Sequence, residues 1–361
     1  MIRNYCCLCD NNTVLNELFK MSEYPITFSP NNKNYDTHLF TDIIWGFCMN
    51  CGSVQLMSLI DPEILYENAH NETNESEKWG NHHKSFSEFI KKSISTNSNI
   101  IEIGGSSGNL AILLKDYVKD YTIIDVTEST LKIPVKYIKC NCETYNFHKN
   151  DTIIMSHVLE HLYNPSKFVK HCAENKVADI FISNPIMNID SEIIQIHIEH
   201  TYFADNIDIQ ALFEKNNYKL EKFILYSDLS YFFHFKYIDT RCLTVSNCRL
   251  GRELVLLEKF ERRQKKLENL KIDKQIFVTP AGPPGQLFYY YSKSINIIGF
   301  LDNDVNKHSK LVYGSPVMTY PMSKIKDIIK PNIFIYSYAF TNEIKEQLLK
   351  LNTSAIITII N

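Results

Sequence analysis

The 361-residue sequence has no uninterrupted apolar run approaching the ~20 residues a membrane-spanning helix needs. Its opening stretch, MIRNYCCLCD, has no extended apolar segment of the kind that directs secretion. It also has no excess of positive charge: 38 Lys and Arg stand against 41 Asp and Glu, a formal net charge of -3. A basic field that would hold duplex nucleic acid or an anionic membrane is therefore missing, and neither is expected as a partner. No short repeat recurs at a fixed period, which removes solenoid architectures. The expectation is a soluble, cytoplasmic, globular chain, with 44% hydrophobic and 22% charged residues and enough length for two or three compact units. Ten cysteines in such a setting read as metal ligands and reduced thiols rather than disulfides.

The chain reads as a metal-clip module over 1–80 followed by two α/β domains over 81–250 and 251–361. The first region carries CCLC, from Cys6 to Cys9, and CMNC, from Cys48 to Cys51. From about residue 82 short apolar runs alternate with amphipathic ones, the pattern of a parallel sheet with crossover helices. Strands are predicted in NIIEIG, YTIID, KYIKC, DTIIMSHV and DIFISNP. A charged segment over 252–272 reads as a connecting helix. Beyond it QIFVTPAGPPGQLFYYYSKSINIIGFLDND, NIFIYSYAF, TNEIKEQLLKL and AIITII describe a smaller α/β domain. There Gly282 and Gly285 allow a tight turn, and Asp302 and Asp304 follow the next strand. The prolines of PAGPPG remove amide donors a phosphate would use, so this region reads as a platform rather than a second cofactor site.

Four stretches carry chemistry. In NIIEIGGSSGNLAILL an apolar strand ends at Glu102, and Gly104, Gly105 and Gly108 make a turn whose missing side chains let a ligand approach the backbone. Asp125 ends the next strand about 20 residues on, where a carboxylate can accept ribose hydroxyls. DTIIMSHVLEHLYNP places Ser156 and His157 just after a strand, with Glu160 and His161 expected on the following helix; His161 taken alone reads as a structural histidine. The two C-x-x-C knuckles, Cys6 with Cys9 and Cys48 with Cys51, can turn four thiolates onto one tetrahedral Zn2+, leaving no open position for catalysis. Cys7 is the leftover thiol. Finally HIEHTYF packs His197, Glu199, His200, Tyr202 and Phe203 into seven residues.

The glycine turn with its acid, together with the HVLEHL string, resembles class I SAM-dependent methyltransferases. That likeness implies S-adenosylmethionine as cofactor, bound by Glu102, Gly104, Gly105, Gly108, Asp125, Ser156 and His157. The whole chain resembles a narrower family, the zinc-containing nucleotide-sugar C-methyltransferases of deoxysugar biosynthesis. The match lies in Cys48, Cys51, Gly52, Gln55 and Leu56 of its C-x-x-C-G-x-x-Q-L string, and in FLDND, YGSPV and IYSYAFTNEI near the C-terminus. The resemblance implies an N-terminal zinc-binding module, a central Rossmann-like SAM-binding domain and a smaller C-terminal Rossmann-like domain. The family's Y-H-E-H-x-x-Y-F segment corresponds to HIEHTYF, aligning Glu199 and His200. His197 stands where the family has tyrosine, Ile198 replaces a histidine, and the gap before Tyr202 is one residue shorter. A tyrosine-bearing segment of the family falls in LYENAHNETNES, on Tyr66, His70 or Asn71.

C-methylation needs a carbon nucleophile, which a ketone supplies by acidifying its neighbouring carbon. A histidine, with an unperturbed pKa of about 6.5, suits the base. His200 takes that role, Glu199 orients a ring, and Tyr202 and His197 polarise sugar oxygens. Three other readings stay open: O- or N-methylation of a sugar or other small metabolite, non-catalytic binding of SAM or a sugar nucleotide, and, from the glycine turns alone, a nicotinamide-dependent oxidoreductase.

Overall fold

The structure is a computed structural model that describes residues 1–9, 13–27, 34–66, 77–187, 198–226, 230–240, 250–337 and 340–360. Internal packing divides these into two units. The first comprises Met1–Phe19, Ile44–Ser191 and Ile198–Val255; the second comprises Lys20–Ile43 and Leu256–Asn361 with a short piece outside the described residues. Among the described residues no helix is long and apolar enough to cross a membrane.

Chain order runs β1 (Leu15–Pro25), β2 (Phe40–Cys48), β3 (Val54–Leu56), α1 (Pro62–Leu65), α2 (Glu77–Lys91), β4 (Asn99–Ile103), α3 (Asn109–Leu114), β5 (Asp120–Asp125), β6 (Lys136–Lys139) and β7 (Asp151–Ser156). It continues α4 (Pro165–Glu174), β8 (Asp179–Pro185), β9 (Tyr202–Phe203), α5 (Asn206–Glu214), β10 (Tyr218–Tyr226), β11 (Ser230–Tyr237) and α6 (Arg252–Glu268). The last elements are β12 (Ile276–Thr279), α7 (Pro283–Tyr291), β13 (Ile297–Asp302), β14 (Thr319–Pro321), β15 (Asn332–Ile335), α8 (Thr341–Leu351) and β16 (Ile356–Ile359).

The main sheet of the first unit has the order β10-β11-β8-β7-β4-β5-β6. Strands β4 to β8 are parallel, whereas β11 runs antiparallel to both β8 and β10. All five strands predicted from apolar runs are present, and the alternation within them explains why. Ile101, Ile103, Ile153, Met155, Ile180 and Ile182 bury one face, while Ile100, Ile123, Ile154 and Phe181 bury the other. A sheet covered on both faces calls for such near-continuous apolar strands. Chain direction across the sheet reverses between β4 and β7. A crevice opens outside the carboxyl ends of the strands at such a switch point, and the turn after β4 stands there with Ser156 and His157 at the end of β7.

A smaller sheet, β1-β2-β3-β9, carries the cysteine knuckles at one end. Its β3–β9 pairing sets Gln55 opposite Tyr202 and Val54 opposite Phe203. Thr201 is the clamp: its amide donates to the Glu160 carbonyl at 2.9 Å, and its own carbonyl accepts from Leu56 N at 2.9 Å and Arg3 Nη1 at 2.7 Å. Glu199 and His200 are thereby held between the small sheet and the turn that follows β7.

The second unit is built on a parallel sheet, β14-β13-β12-β15-β16, with separate apolar clusters on its two faces. Residues from 20–27 and 34–43 belong to it: Gln286 Nε2 donates to the carbonyls of Thr27 (2.6 Å) and Tyr313 (2.9 Å), and Tyr290 donates to Ser22 O at 2.6 Å. Asp302, at the end of β13, accepts from Ala281 N and from Lys307 Nζ, both at 3.0 Å.

Candidate active site

Strand β4 delivers Glu102 into the glycine turn. Gly104 adopts φ +70°, and a Cβ there would lie 2.5 Å from Val158 Cγ2. Both backbone sterics and the approach of the segment after β7 therefore demand glycine. At Gly105 a Cβ would lie 2.8 Å from the Glu102 carboxyl carbon. Gly108, at φ 87°, precedes α3 as its N-cap. Glu102 is buried and accepts from the Tyr121 hydroxyl at 2.8 Å; burial pushes its pKa up to about 7. Asp125 meets the turn from β5, accepting from Ser106 N at 3.1 Å through Oδ2 and from Thr127 N and Oγ1, each 3.1 Å, through Oδ1. Oδ2, with one donor, has lone-pair capacity for another.

On the neighbouring strand, Ser156 presents a buried hydroxyl with no hydrogen-bond partner among the described residues. His157 takes φ 55°, its amide donating to Ser183 O at 2.8 Å and its Nε2 lying 3.0 Å from Ser230 Oγ. The ring stands edge-on to Trp79 and His82, with centroids 4.9 and 5.2 Å away. Burial holds His157 well below the usual histidine range, reinforced by His82, His200 and His83. His82 reaches Ser183 Oγ at 2.8 Å and is held down to about 3 by burial.

The segment expected to begin a helix at Glu160 is a single 3-10 turn over Leu159–His161, and α4 starts only at Pro165. A proline lacks the amide an earlier helix would need and is suited to a first helical position. The short turn leaves Glu160 1% exposed, with both oxygens buried and without a hydrogen-bond partner among the described residues. Two imidazole nitrogens lie near it, His157 Nδ1 at 3.6 Å and His161 Nε2 at 3.7 Å. Burial pushes Glu160 up to about 8. His161 Nδ1 lies 2.8 Å from the Tyr66 hydroxyl and 4.0 Å from Glu199 Oε2. The His200 ring crosses that of His161 at 72°, with centroids 5.4 Å apart. Glu160, His161 and His200 bring one ligand-type atom each within 4.8 Å of the others. Burial, and then the Glu199 carboxylate, raise Tyr66 well above the usual phenol range.

The structure thus gathers Glu199 and His200 with three residues that sequence reasoning left aside or undecided: His161, Glu160 and Tyr66. The Glu199 carboxylate approaches the ring of His161. Tyr202 lies in the core, its hydroxyl donating to Leu159 O at 2.5 Å, where it braces the turn carrying Glu160 and His161. His197, His70 and Asn71 lie outside the described residues. The signal for His161 was the HVLEHL string taken whole; a lone histidine gives none.

The four knuckle cysteines converge elsewhere in the same unit, their sulfurs all within 4.8 Å of one another. Cys6 Sγ lies 3.7 Å from Cys51 Sγ, and Cys9 Sγ lies 3.5 Å from Cys48 Sγ. Three donors turn toward Cys6 Sγ: Leu8 N at 3.4 Å, Cys9 N at 3.3 Å and Gln55 Nε2 at 2.8 Å. Hydrogen bonds from Cys48, Cys51 and Cys9 hold Cys6 far below the usual thiol range. Donors aimed at a sulfur are what a metal-bound thiolate receives from its surroundings, so the donor set fits a zinc ion held by four thiolates. Cys7 points into the main core instead, and burial pushes it up to about 12.

Comparison with known proteins agrees with this architecture. Residues 75–222 match a family model described as a methyltransferase domain. Among solved structures, the N-methyltransferase NodS from Bradyrhizobium japonicum WM9 is 12% identical, with TM-score 0.38, covering 46% of this chain and 99% of that one. Magnesium protoporphyrin IX methyltransferase from Synechocystis PCC 6803, solved with bound SAM, is 13% identical, with TM-score 0.35, covering 44% and 79%. No curated protein matches the sequence. With the family match spanning the switch-point crevice and its glycine turn, the chain carries a methyltransferase domain and is a SAM-dependent methyltransferase.

Proposed function

We propose that the methyl acceptor is a carbon acid, a nucleotide-linked keto-deoxysugar, and that the groups around His161 handle its proton. One observation carries the reading: Tyr66, Glu160, His161, Glu199 and His200, from three separated stretches, meet in the same unit as the glycine turn. Transfer to an oxygen or nitrogen that is already nucleophilic calls for one base at most. Two carboxyls, two imidazoles and a phenol suit an acceptor whose carbon must lose one proton and whose developing oxyanion must be stabilised. The likeness of HIEHTYF and the cysteine strings to the sugar C-methyltransferases supports the same substrate class.

SAM supplies an electrophilic methyl group on a sulfonium. Glu102, Gly104, Gly105 and Gly108 would shape its pocket, Asp125 would accept from its ribose hydroxyls, and Ser156 and His157 would line its methionine end. His200 would remove the proton beside the ketone, and the carbon's electron pair would take the methyl as the sulfur leaves. Glu199 would orient the ring of the adjacent His161, and Tyr66 would hydrogen-bond the acceptor's oxygen. Cys6, Cys9, Cys48 and Cys51 would hold a structural Zn2+ at one end of the small sheet that presents Glu199 and His200.

The test incubates the protein with methyl-labelled SAM and a panel of nucleotide keto-sugars, locating new methyl groups by NMR. A methyl on carbon, lost in His200→Ala with SAM affinity retained, is the expected result. A methyl on oxygen or nitrogen selects the other acceptor chemistry, and near-normal turnover in His200→Ala refutes its role as base.

A further inference from the structure

Three polar groups lead from the partly exposed Tyr66 into the core. The Tyr66 hydroxyl lies 2.8 Å from His161 Nδ1, and His161 Nε2 lies 3.7 Å from Glu160 Oε1. At the buried end Glu160 is 1% exposed, with neither oxygen hydrogen-bonded among the described residues. A neutral imidazole carries its proton on one nitrogen and a lone pair on the other, so the group at one nitrogen decides the role of the other. We propose that Glu160 is a positioning residue that sets the tautomer of His161 and, through it, whether Tyr66 gives or takes a proton.

While Glu160 keeps its proton, it directs that proton toward Nε2. His161 then carries its own proton on Nδ1 and donates to the Tyr66 oxygen, leaving the phenolic O–H to donate away from His161. If Tyr66 gives up that proton, the Nδ1 proton passes to its oxygen and the Glu160 proton passes to Nε2. The O–H bond of Glu160 breaks, and the cluster ends with one negative charge, on the Glu160 carboxylate. In this second state Nε2–H donates to Glu160 and Nδ1 accepts from Tyr66, whose outward lone pairs can take a proton and drive the sequence backwards. The 3.7 Å gap exceeds a hydrogen bond, so transfer requires the two groups to close by roughly 0.5–1 Å.

The surroundings favour this direction. The other imidazole near Glu160, His157, faces the same oxygen through Nδ1 at 3.6 Å, but burial holds it well below the usual histidine range, which makes it the poorer acceptor of a proton. Around the cluster the Tyr202 hydroxyl is bonded to Leu159 O, and Arg3 donates to the carbonyls of Thr201 and Tyr163. Glu199 and His200 face His161 from the segment before β9. With Glu160 pushed up to about 8, the proton-giving arrangement prevails near neutrality.

This assignment rests on the cluster being where the acceptor's proton is handled, but its test needs no acceptor. Failure of C-methylation and failure of the tautomer switch are therefore separate results. Protein labelled with 15N-histidine is titrated by long-range 1H–15N NMR, with the His161 signals identified by their loss in His161→Gln. The expected result is an Nδ1–H tautomer at about pH 6.5 that converts to Nε2–H by about pH 9.5. In Glu160→Gln the amide donates to Nε2 at every pH, so His161 should stay Nδ1–H throughout. A wild-type ring that keeps one tautomer across the range would overturn the proposal. So would a ring protonated on both nitrogens at the lower pH, or a Glu160→Gln variant that switches as the wild type does. If that variant does not fold, the wild-type titration alone decides.

Discussion

Replacing Gly104 by alanine should damage the cofactor turn in a way that a second substitution partly repairs. At φ +70° an L-residue costs about 1–2 kcal/mol of backbone strain. The new Cβ would also sit 2.5 Å from Val158 Cγ2, well inside van der Waals contact, and overpacking of this kind costs about 1–3 kcal/mol. Gly104→Ala should therefore lose ~2–5 kcal/mol. Val158→Ala alone removes partly buried methyls and should cost about 1–2 kcal/mol. In the Gly104→Ala background the same change removes the clash, so the double variant should be ~1–3 kcal/mol more stable than the sum of the singles predicts. The backbone term remains, since φ does not depend on Val158. Urea denaturation followed by circular dichroism gives the four free energies, and SAM titration calorimetry reports whether the turn still binds. Additivity of the two substitutions to within about 0.5 kcal/mol would refute the clash as the reason for this glycine.

Three further outcomes follow from burial and charge. Glu102 and Glu160 are raised to about 7 and about 8 from ordinary values near 4.5. The stability they carry is complete below about pH 4.5 and is lost as pH rises through those values. Between about pH 6.5, clear of the depressed histidines, and about pH 8 the unfolding free energy from urea denaturation should fall, with a limiting slope near 1.4 kcal/mol per pH unit from Glu160 and less from Glu102, and Glu160→Gln should reduce it; an unchanged profile in that variant contradicts the burial. Metal analysis should find about one zinc per chain, removed by Cys48→Ser with a lowered melting temperature but retained in Cys7→Ser; equal loss in both would remove the distinction between the thiols. Arg252 Nη2 pairs with Asp205 Oδ2 at 2.7 Å and Arg252 Nη1 with Asp208 Oδ2, all buried, so Arg252→Met should cost ~3–5 kcal/mol in urea denaturation; a loss below about 1 kcal/mol would show that these aspartates tolerate solitary burial.

Local pattern wrote much of this molecule. The strands β4 to β8 follow from apolar runs that must be buried on both faces, and the cysteine spacings follow from the geometry of a two-thiolate knuckle. Helix α8, over Thr341–Leu351, coincides with the string TNEIKEQLLKL. The glycine turn after β4 was legible because glycines beside an acid leave a local signature. Glu199 and His200 stood out as candidates because a whole string, rather than either residue, resembles a family segment.

What the chain could not declare locally is which distant groups share a site. His161 looks like any histidine until Thr201 ties the 199–201 stretch to the turn after β7, and Tyr66 comes from a segment about a hundred residues away. The attachment of residues 20–27 and 34–43 to the C-terminal sheet rests on side-chain donors meeting backbone carbonyls, as at Gln286 and Tyr290, and such bonds impose no periodicity. Sequence by itself determined the elements and the chemistry available in each, because propensity and burial act over a few residues. Tertiary structure alone decided that a buried carboxyl, two imidazoles and a phenol meet, because proton exchange depends on separations of a few ångströms between residues that the chain keeps far apart.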